Sequence, residues 1–126
     1  NLDKILELRK NQLDYYYSQL SNIKGISIRK FFKWCKPVHW LTTVTLDMKY
    51  NRNDCLMFMK ENKIDCRQMI NPVHHADHFV EKYNNNDFPI SNNISSQSIH
   101  LPSGLALTND NIDYICMTLN KFLQKN

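Results

Sequence analysis

A chain of 126 residues with 42% hydrophobic and 22% charged side chains can build one domain around one core, and its composition is that of an ordinary globular protein. A net charge of +4 is too small to imply nucleic acid by itself, and no apolar run reaches the length of a membrane span. Two glycines exclude a Walker loop or dinucleotide fingerprint, and four cysteines without a Cys-x-x-Cys spacing exclude a zinc ribbon or thioredoxin motif.

The chain starts at Asn1 with no secretory pattern, which reads as a single domain, 1–126, cut from a longer protein. Cys35, Cys55, Cys66 and Cys116 read as reduced, mostly buried thiols of a cytoplasmic protein.

Leu2 to Leu20 is expected to be a helix. Leu2, Ile5, Leu6, Arg9, Leu13, Tyr16, Tyr17 and Leu20 recur at three- and four-residue steps, with Lys4, Lys10, Gln12, Asp14 and Gln19 on the opposite face. Of Tyr15, Tyr16 and Tyr17, two rings should meet the core and one should be exposed. Gly25 closes this segment, and Ile26-Ser27-Ile28 begins an extended piece. Arg29 to Lys36 interleaves cations and aromatic rings. Such a run can track a nucleic acid, meet a diphosphate, or form a solvated loop whose rings cover a sheet edge; the last reading is adopted.

His39 to Asp47 has the alternation of a strand, and Trp40 opens it. Asn51 or Asn53 should cap a helix with Leu56, Met59 and Met57 facing inward. Ile64 to Ile70 returns as a strand, so Trp40 to Ile70 reads as strand–helix–strand. Asn84-Asn85-Asn86 reads as a turn, followed by a proline-flanked segment from Phe88 to Pro102. Thr108 should cap a final helix with Ile112, Ile115, Cys116, Leu119, Phe122 and Leu123 as its apolar stripe.

Asp65 to Phe79 carries the densest polar chemistry. Pro72 biases Asn71 toward extended backbone and places His74, His75 and His78 on a turn or short helix past a strand end. His74 and His78 could share a helix face as metal ligands, but no third ligand follows at a known spacing. His74 could instead act as a base or contact a substrate. Arg67 on a strand could hold a carboxylate or phosphate through two N–H groups, or be a surface residue. Trp40 could wall a pocket or fill the core.

Several segments, in order, resemble the C-terminal domain of the DegT-type nucleotide-sugar aminotransferases, which include perosamine synthases. Leu8-Arg9-Lys10-Asn11 to Tyr16 resembles the arginine-bearing helix entering that domain. His39-Trp40-Leu41 resembles the aromatic start of its central strand. Arg52-Asn53-Asp54 and Lys60 to Arg67 resemble its helix and following strand, and Pro72-Val73-His74 its Pro-x-His turn. Phe88-Pro89, Ile99-His100-Leu101-Pro102-Ser103 and Leu107-Thr108 resemble its closing segments. The sequence departs from the pattern where Lys63 and Ser98 stand in place of Gly, and Asn92 in place of Glu. A lysine in a left-handed helix cap costs on the order of 1 kcal/mol.

The resemblance implies an α+β fold: the small domain of a fold-type-I aminotransferase, with a leading helix and a small, mostly antiparallel sheet flanked by helices. It implies a parent enzyme that uses pyridoxal phosphate to move an amino group from glutamate to a keto-deoxysugar on a nucleotide diphosphate. The Schiff-base lysine would lie in a large domain outside this chain, and that domain would form a homodimer. The small domain would wall the sugar pocket, with His74, Arg67 and Trp40 as substrate contacts. The alternative expectation is a non-catalytic binding or assembly module that keeps the same fold.

Overall fold

In a computed structural model of the chain, residues 1–84 and 87–125 are described; Asn85 and Asn86 of the expected asparagine turn lie outside them. The elements are α1 (Leu2–Leu20), β1 (Ile26–Ile28), β2 (Thr42–Leu46), α2 (Arg52–Glu61), β3 (Arg67–Gln68), a 3-10 turn at Val73–His75, α3 (Asp77–Val80), α4 (Pro89–Gln97), β4 (Ser98–Leu101) and α5 (Asn109–Lys125). The strands form one sheet in the order β1-β2-β4-β3, every neighbouring pair antiparallel. The fold is α+β, as the sequence leads one to expect.

The sheet explains the core. Thr42, Val44 and Leu46 point to one face of β2 and are buried, and Val44 lies beside Ile99 of β4 in register. Onto this face pack Tyr16 and Leu20 of α1, Cys55 and Met59 of α2, and the whole expected stripe of α5. The other face carries polar rows across the strands: Thr43 beside His100, and Thr45 Oγ1 hydrogen-bonded to Ser98 Oγ at 2.8 Å.

Both long caps follow from short polar side chains. Asn51 Oδ1 accepts from the backbone N–H of Asn53 and Asp54 at the start of α2. Thr108 and Asn111 bond reciprocally before α5: the Asn111 N–H donates to Thr108 Oγ1, and the Thr108 N–H to Asn111 Oδ1.

Several expectations need correction. The α1 stripe is buried only from Leu13 onward; Leu2, Ile5 and Leu6 are exposed. Gln12, expected on the wet face, is buried because its amide donates to the carbonyls of Gly104 and Leu107. Only Tyr16 is fully buried among the three tyrosines; Tyr15 and Tyr17 are half-buried. Met57 faces solvent, and Cys55 takes the inward position. β2 starts at Thr42 rather than His39, since Arg9 Nη1 donates to the Trp40 carbonyl at 3.0 Å and to that of Ser103 at 3.3 Å. β3 spans two residues, not seven: the Ile64 N–H closes the α2 terminus on Met59, and Pro72 stops the other end. β4 lies between β2 and β3 and splits the expected strand–helix–strand unit.

Lys63 sits at φ 63, the left-handed conformation the sequence pattern anticipates, whereas Ser98 is extended at φ −99, ψ 147 and strain-free. Lys63→Gly is therefore expected to raise stability by roughly 0.5 kcal/mol, the left-handed penalty less the added freedom of the unfolded chain. Urea titration of both proteins measures it; an unchanged or lower midpoint would show that Lys63 is unstrained.

Candidate functional site

Pro72 supplies the fixed backbone that turns the chain out of the β3 edge, and the Val73–His75 turn follows at once. Ala76 is extended at φ −73, ψ 143 and starts α3, so His74 and His78 sit on two separate short helices. Among the described residues no cluster of three or more His, Cys, Asp or Glu side chains is arranged to hold a metal ion.

His74 is 8% exposed. Its ring lies 4.6 Å from that of Phe88, and its Nε2–H donates to Asn92 Oδ1 at 2.8 Å. His75 donates to the same oxygen at 2.9 Å. Thus Asn92, noted in the sequence only as a departure from Glu, is the anchor of both histidines. The sequence signal for it is its place in the first half of a helix opened by Phe88-Pro89, where proline is tolerated at the first turn.

These bonds fix α4 against the Met69–Val73 segment. Ser95 Oγ donates to the Ile70 carbonyl at 3.3 Å, and Arg52 Nη1 to the Ser95 carbonyl at 2.9 Å. Between the two walls runs an open apolar groove of about 710 Å³, lined by Ile70, Pro72, Val73, Phe88, Ile90 and Ile94 among others. Ile70, Val73 and Ile90 are each at least 60% exposed, so the groove floor is an unusually apolar piece of surface. His74 stands behind it, against the Phe88 wall.

Arg67 lies on the β3 edge beside His100, and its Nε and Nη2 donate to Asp65 Oδ2 at 3.3 and 2.8 Å. That bond and the charge of Asp65 raise the guanidinium pKa further; both side chains are exposed. Trp40 precedes β2, and its ring is exposed rather than core-filling. β2 and β3 run the same way, so Trp40 and Arg67 lie toward the sheet end where β4 finishes. His74 lies beyond the end where β4 begins. The fold does not bring the three into one contact cluster among the described residues.

The Arg29–Lys36 run is a loop, as read from the sequence, but its rings do not cover the sheet edge: Phe31, Phe32 and Trp34 are exposed. Phe32 and Trp34 stack on each other at 5.7 Å, and the Arg29 guanidinium lies over Phe31.

Three thiols and one imidazole outside the groove carry checkable chemistry. Burial pushes the thiols of Cys55, Cys66 and Cys116 up to about 12, which keeps them protonated and poor nucleophiles. Alkylation of the native protein is expected to leave these three unmodified while denaturant exposes them at once. Rapid native labelling of Cys66 would show that its thiol is accessible and reactive in the folded chain.

His100 Nδ1 and Thr43 Oγ1 hydrogen-bond at 2.9 Å, and burial lowers the His100 pKa below its ordinary 6.5. The unfolded chain then binds the proton first, so the stability His100 contributes is intact above about pH 6.5 and drains away as pH falls toward the folded-state value. His100→Gln is expected to flatten this acid slope in pH-dependent urea titrations; an unchanged slope would assign it elsewhere.

Comparison with known proteins places these features. The family model of the DegT/DnrJ/EryC1/StrS aminotransferases matches residues 1–120. The chain belongs to this family. It is 28% identical over 126 residues to the GDP-perosamine synthase of Vibrio cholerae, covering 96% of this chain and 33% of that protein. It is 23% identical over 120 residues to the Escherichia coli O157:H7 GDP-perosamine synthase, covering 95% and 32%. The sugar aminotransferase Spr1654 of Streptococcus pneumoniae, named as putative in its PMP-form structure, superposes with a TM-score of 0.86 at 17% identity, over 98% of this chain and 32% of that one. DesV of S. venezuelae in complex with a ketimine intermediate superposes at 0.85 and 20%, over 96% and 32%. The fold is thus that of a segment of aminotransferases in this family, and the chain spans about a third of the length of the curated relatives it matches. Among the described residues no helix is long and apolar enough to cross a membrane.

Proposed function

We propose that this chain is the C-terminal small domain of a larger cytoplasmic, pyridoxal-phosphate-dependent enzyme that moves an amino group from glutamate to a keto-deoxysugar on a nucleotide diphosphate. The observation that carries the reading is the family match over residues 1–120, reinforced by relatives that are themselves GDP-perosamine synthases.

In this reading the chain shapes the substrate pocket and leaves the electron-sink chemistry to the cofactor. The apolar groove between Met69–Val73 and α4 offers a water-poor wall for a deoxysugar, which has fewer hydroxyls than an ordinary hexose. Asn92, His74 and Phe88 hold that wall in place. Arg67 supplies a planar donor set for a diphosphate or carboxylate, exchanging Asp65 for the ligand. Trp40 supplies an exposed ring for stacking. Nucleic acid is not the proposed partner, and the homodimer would form through the large domain.

The residues here do not fit a covalent pyridoxal-phosphate site. A Schiff-base lysine is activated by desolvation or by a neighbouring cation, and every lysine of this chain is exposed. The cofactor is therefore assigned to the part of the enzyme outside this chain.

Hydrogen–deuterium exchange of the whole protein, with and without a nucleotide-linked sugar, tests the pocket assignment. Protection is expected in residues 67–75 and 88–95. Protection that leaves both segments unchanged would remove this domain from the substrate wall.

A further inference from the structure

From Tyr15 to Leu46 the chain holds no acid and five cations, Lys24, Arg29, Lys30, Lys33 and Lys36. All five are exposed, and the last four fall in the loop between β1 and β2. That loop has a seated base and a projecting tip. At the base, Phe31 and Pro37 face Leu13 and Tyr17 of α1 across one cavity, and the Phe31 ring meets His39 edge-on at 5.7 Å. At the tip, the Cys35 N–H donates to the Phe32 carbonyl at 2.9 Å and closes a turn. The turn carries Phe32 and Trp34, 70% and 81% exposed, with their rings 5.7 Å apart and nearly parallel. Val38, 71% exposed, follows on the same loop.

Two physical facts narrow the partner. Small-molecule sites are concave and cover most of their ligand, whereas these rings project from the surface. An exposed tryptophan among lysine and arginine suits a membrane–water interface, where the indole lies at headgroup level and the cations meet anionic lipid. Asp14, the acid beside the loop base, is held by Lys10 at 3.0 Å, so it does not offset the charge of the tip.

We propose that this loop docks the protein on an anionic lipid surface. Phe32 and Trp34 enter the headgroup layer, and Arg29, Lys30, Lys33 and Lys36 pair with the negative headgroups. The contact is peripheral and spans nothing. It does not depend on the function proposed above.

Flotation of the whole protein that carries this chain, with vesicles of phosphatidylglycerol and phosphatidylcholine in equal parts, tests the proposal. Vesicles of phosphatidylcholine alone are the comparison. A preference of about tenfold or more for the anionic vesicles is expected, and it should fall as salt is raised. Trp34→Ala, which removes an exposed ring, is expected to weaken binding roughly tenfold. Lys33→Gln combined with Lys36→Gln should weaken it by about tenfold or more. Lys60→Gln on α2, which packs against β3 and β4 away from the β1 edge, should leave it unchanged. Flotation that the loop variants leave intact overturns the proposal. So does a whole protein that stays in solution while the isolated 126-residue chain floats, since the loop is then covered by the rest of the enzyme. Capture of a single-stranded oligonucleotide through the same residues, without flotation, overturns it in favour of a nucleic acid.

Discussion

His74→Ala is expected to lower the stability of the chain by about 2–3 kcal/mol, the range for losing a buried ring and its hydrogen bond outside the main core. The ring fills the space beside Phe88, and its N–H meets Asn92 Oδ1 at 2.8 Å. Removing it leaves a gap behind the groove wall and frees the start of α4. His75→Ala is the control: that ring bonds the same oxygen but is exposed, so its loss should cost less than about 1 kcal/mol. Urea titration of both variants measures the difference. If His74→Ala is as stable as the parent, the ring is not a prop, and direct contact with substrate becomes its main role. In the whole protein, a prop lowers the amount of folded enzyme, whereas a contact lowers kcat/KM per folded molecule by a few-fold to roughly a hundredfold.

Borohydride reduction of this chain mixed with pyridoxal phosphate is expected to yield no stoichiometric adduct on one lysine. An exposed ammonium is well hydrated and stays protonated near neutral pH, so its imine with the cofactor is weak and unselective. All lysines here are exposed, whereas a catalytic lysine needs a desolvated or cation-flanked setting. Intact-mass analysis should show at most scattered, substoichiometric labelling that rises with cofactor concentration. One adduct per chain, mapped to a single lysine, would mean that this chain holds a cofactor site of its own.

The parts of the fold legible in sequence are those where one local signal decides. α5 is one: its apolar residues keep a helical period from Ile112 to Leu123, and Thr108 sits at the cap. Lys63 is another, since the turn after α2 demands a left-handed residue whatever its identity. β4 is not legible as a strand. Its four residues alternate as they should, but they abut α4 with no intervening turn residue, and only the pairing with β2 and β3 makes them central. The long strand read over 64–70 fails for the opposite reason: residues of strand character are consumed by the α2 cap at one end and stopped by Pro72 at the other. Gly25 shows how tertiary contact hides in sequence. It reads as a simple helix stop, yet a Cβ there would come within 2.7 Å of the Tyr50 ring.

The candidate site divides the same way. The turn at Pro72-Val73-His74 and its place past a strand edge follow from proline and histidine alone. That His74 faces inward, and that Asn92 rather than an acid holds it, depends on α4 folding back across eighteen positions. Arg9 and Arg52 likewise look like surface cations, yet Nη1 of each donates to a backbone carbonyl far along the chain.

The most direct measurement is amino transfer by the whole protein that carries this chain. Purified with pyridoxal phosphate and supplied with glutamate and nucleotide-linked keto-deoxysugars, it should convert one of them to its amino derivative, detected by mass, with one 2-oxoglutarate formed per amino sugar. Glutamate turnover with no transfer to any nucleotide-linked keto-sugar, or a parent protein with no pyridoxal-phosphate-binding domain, would contradict the account.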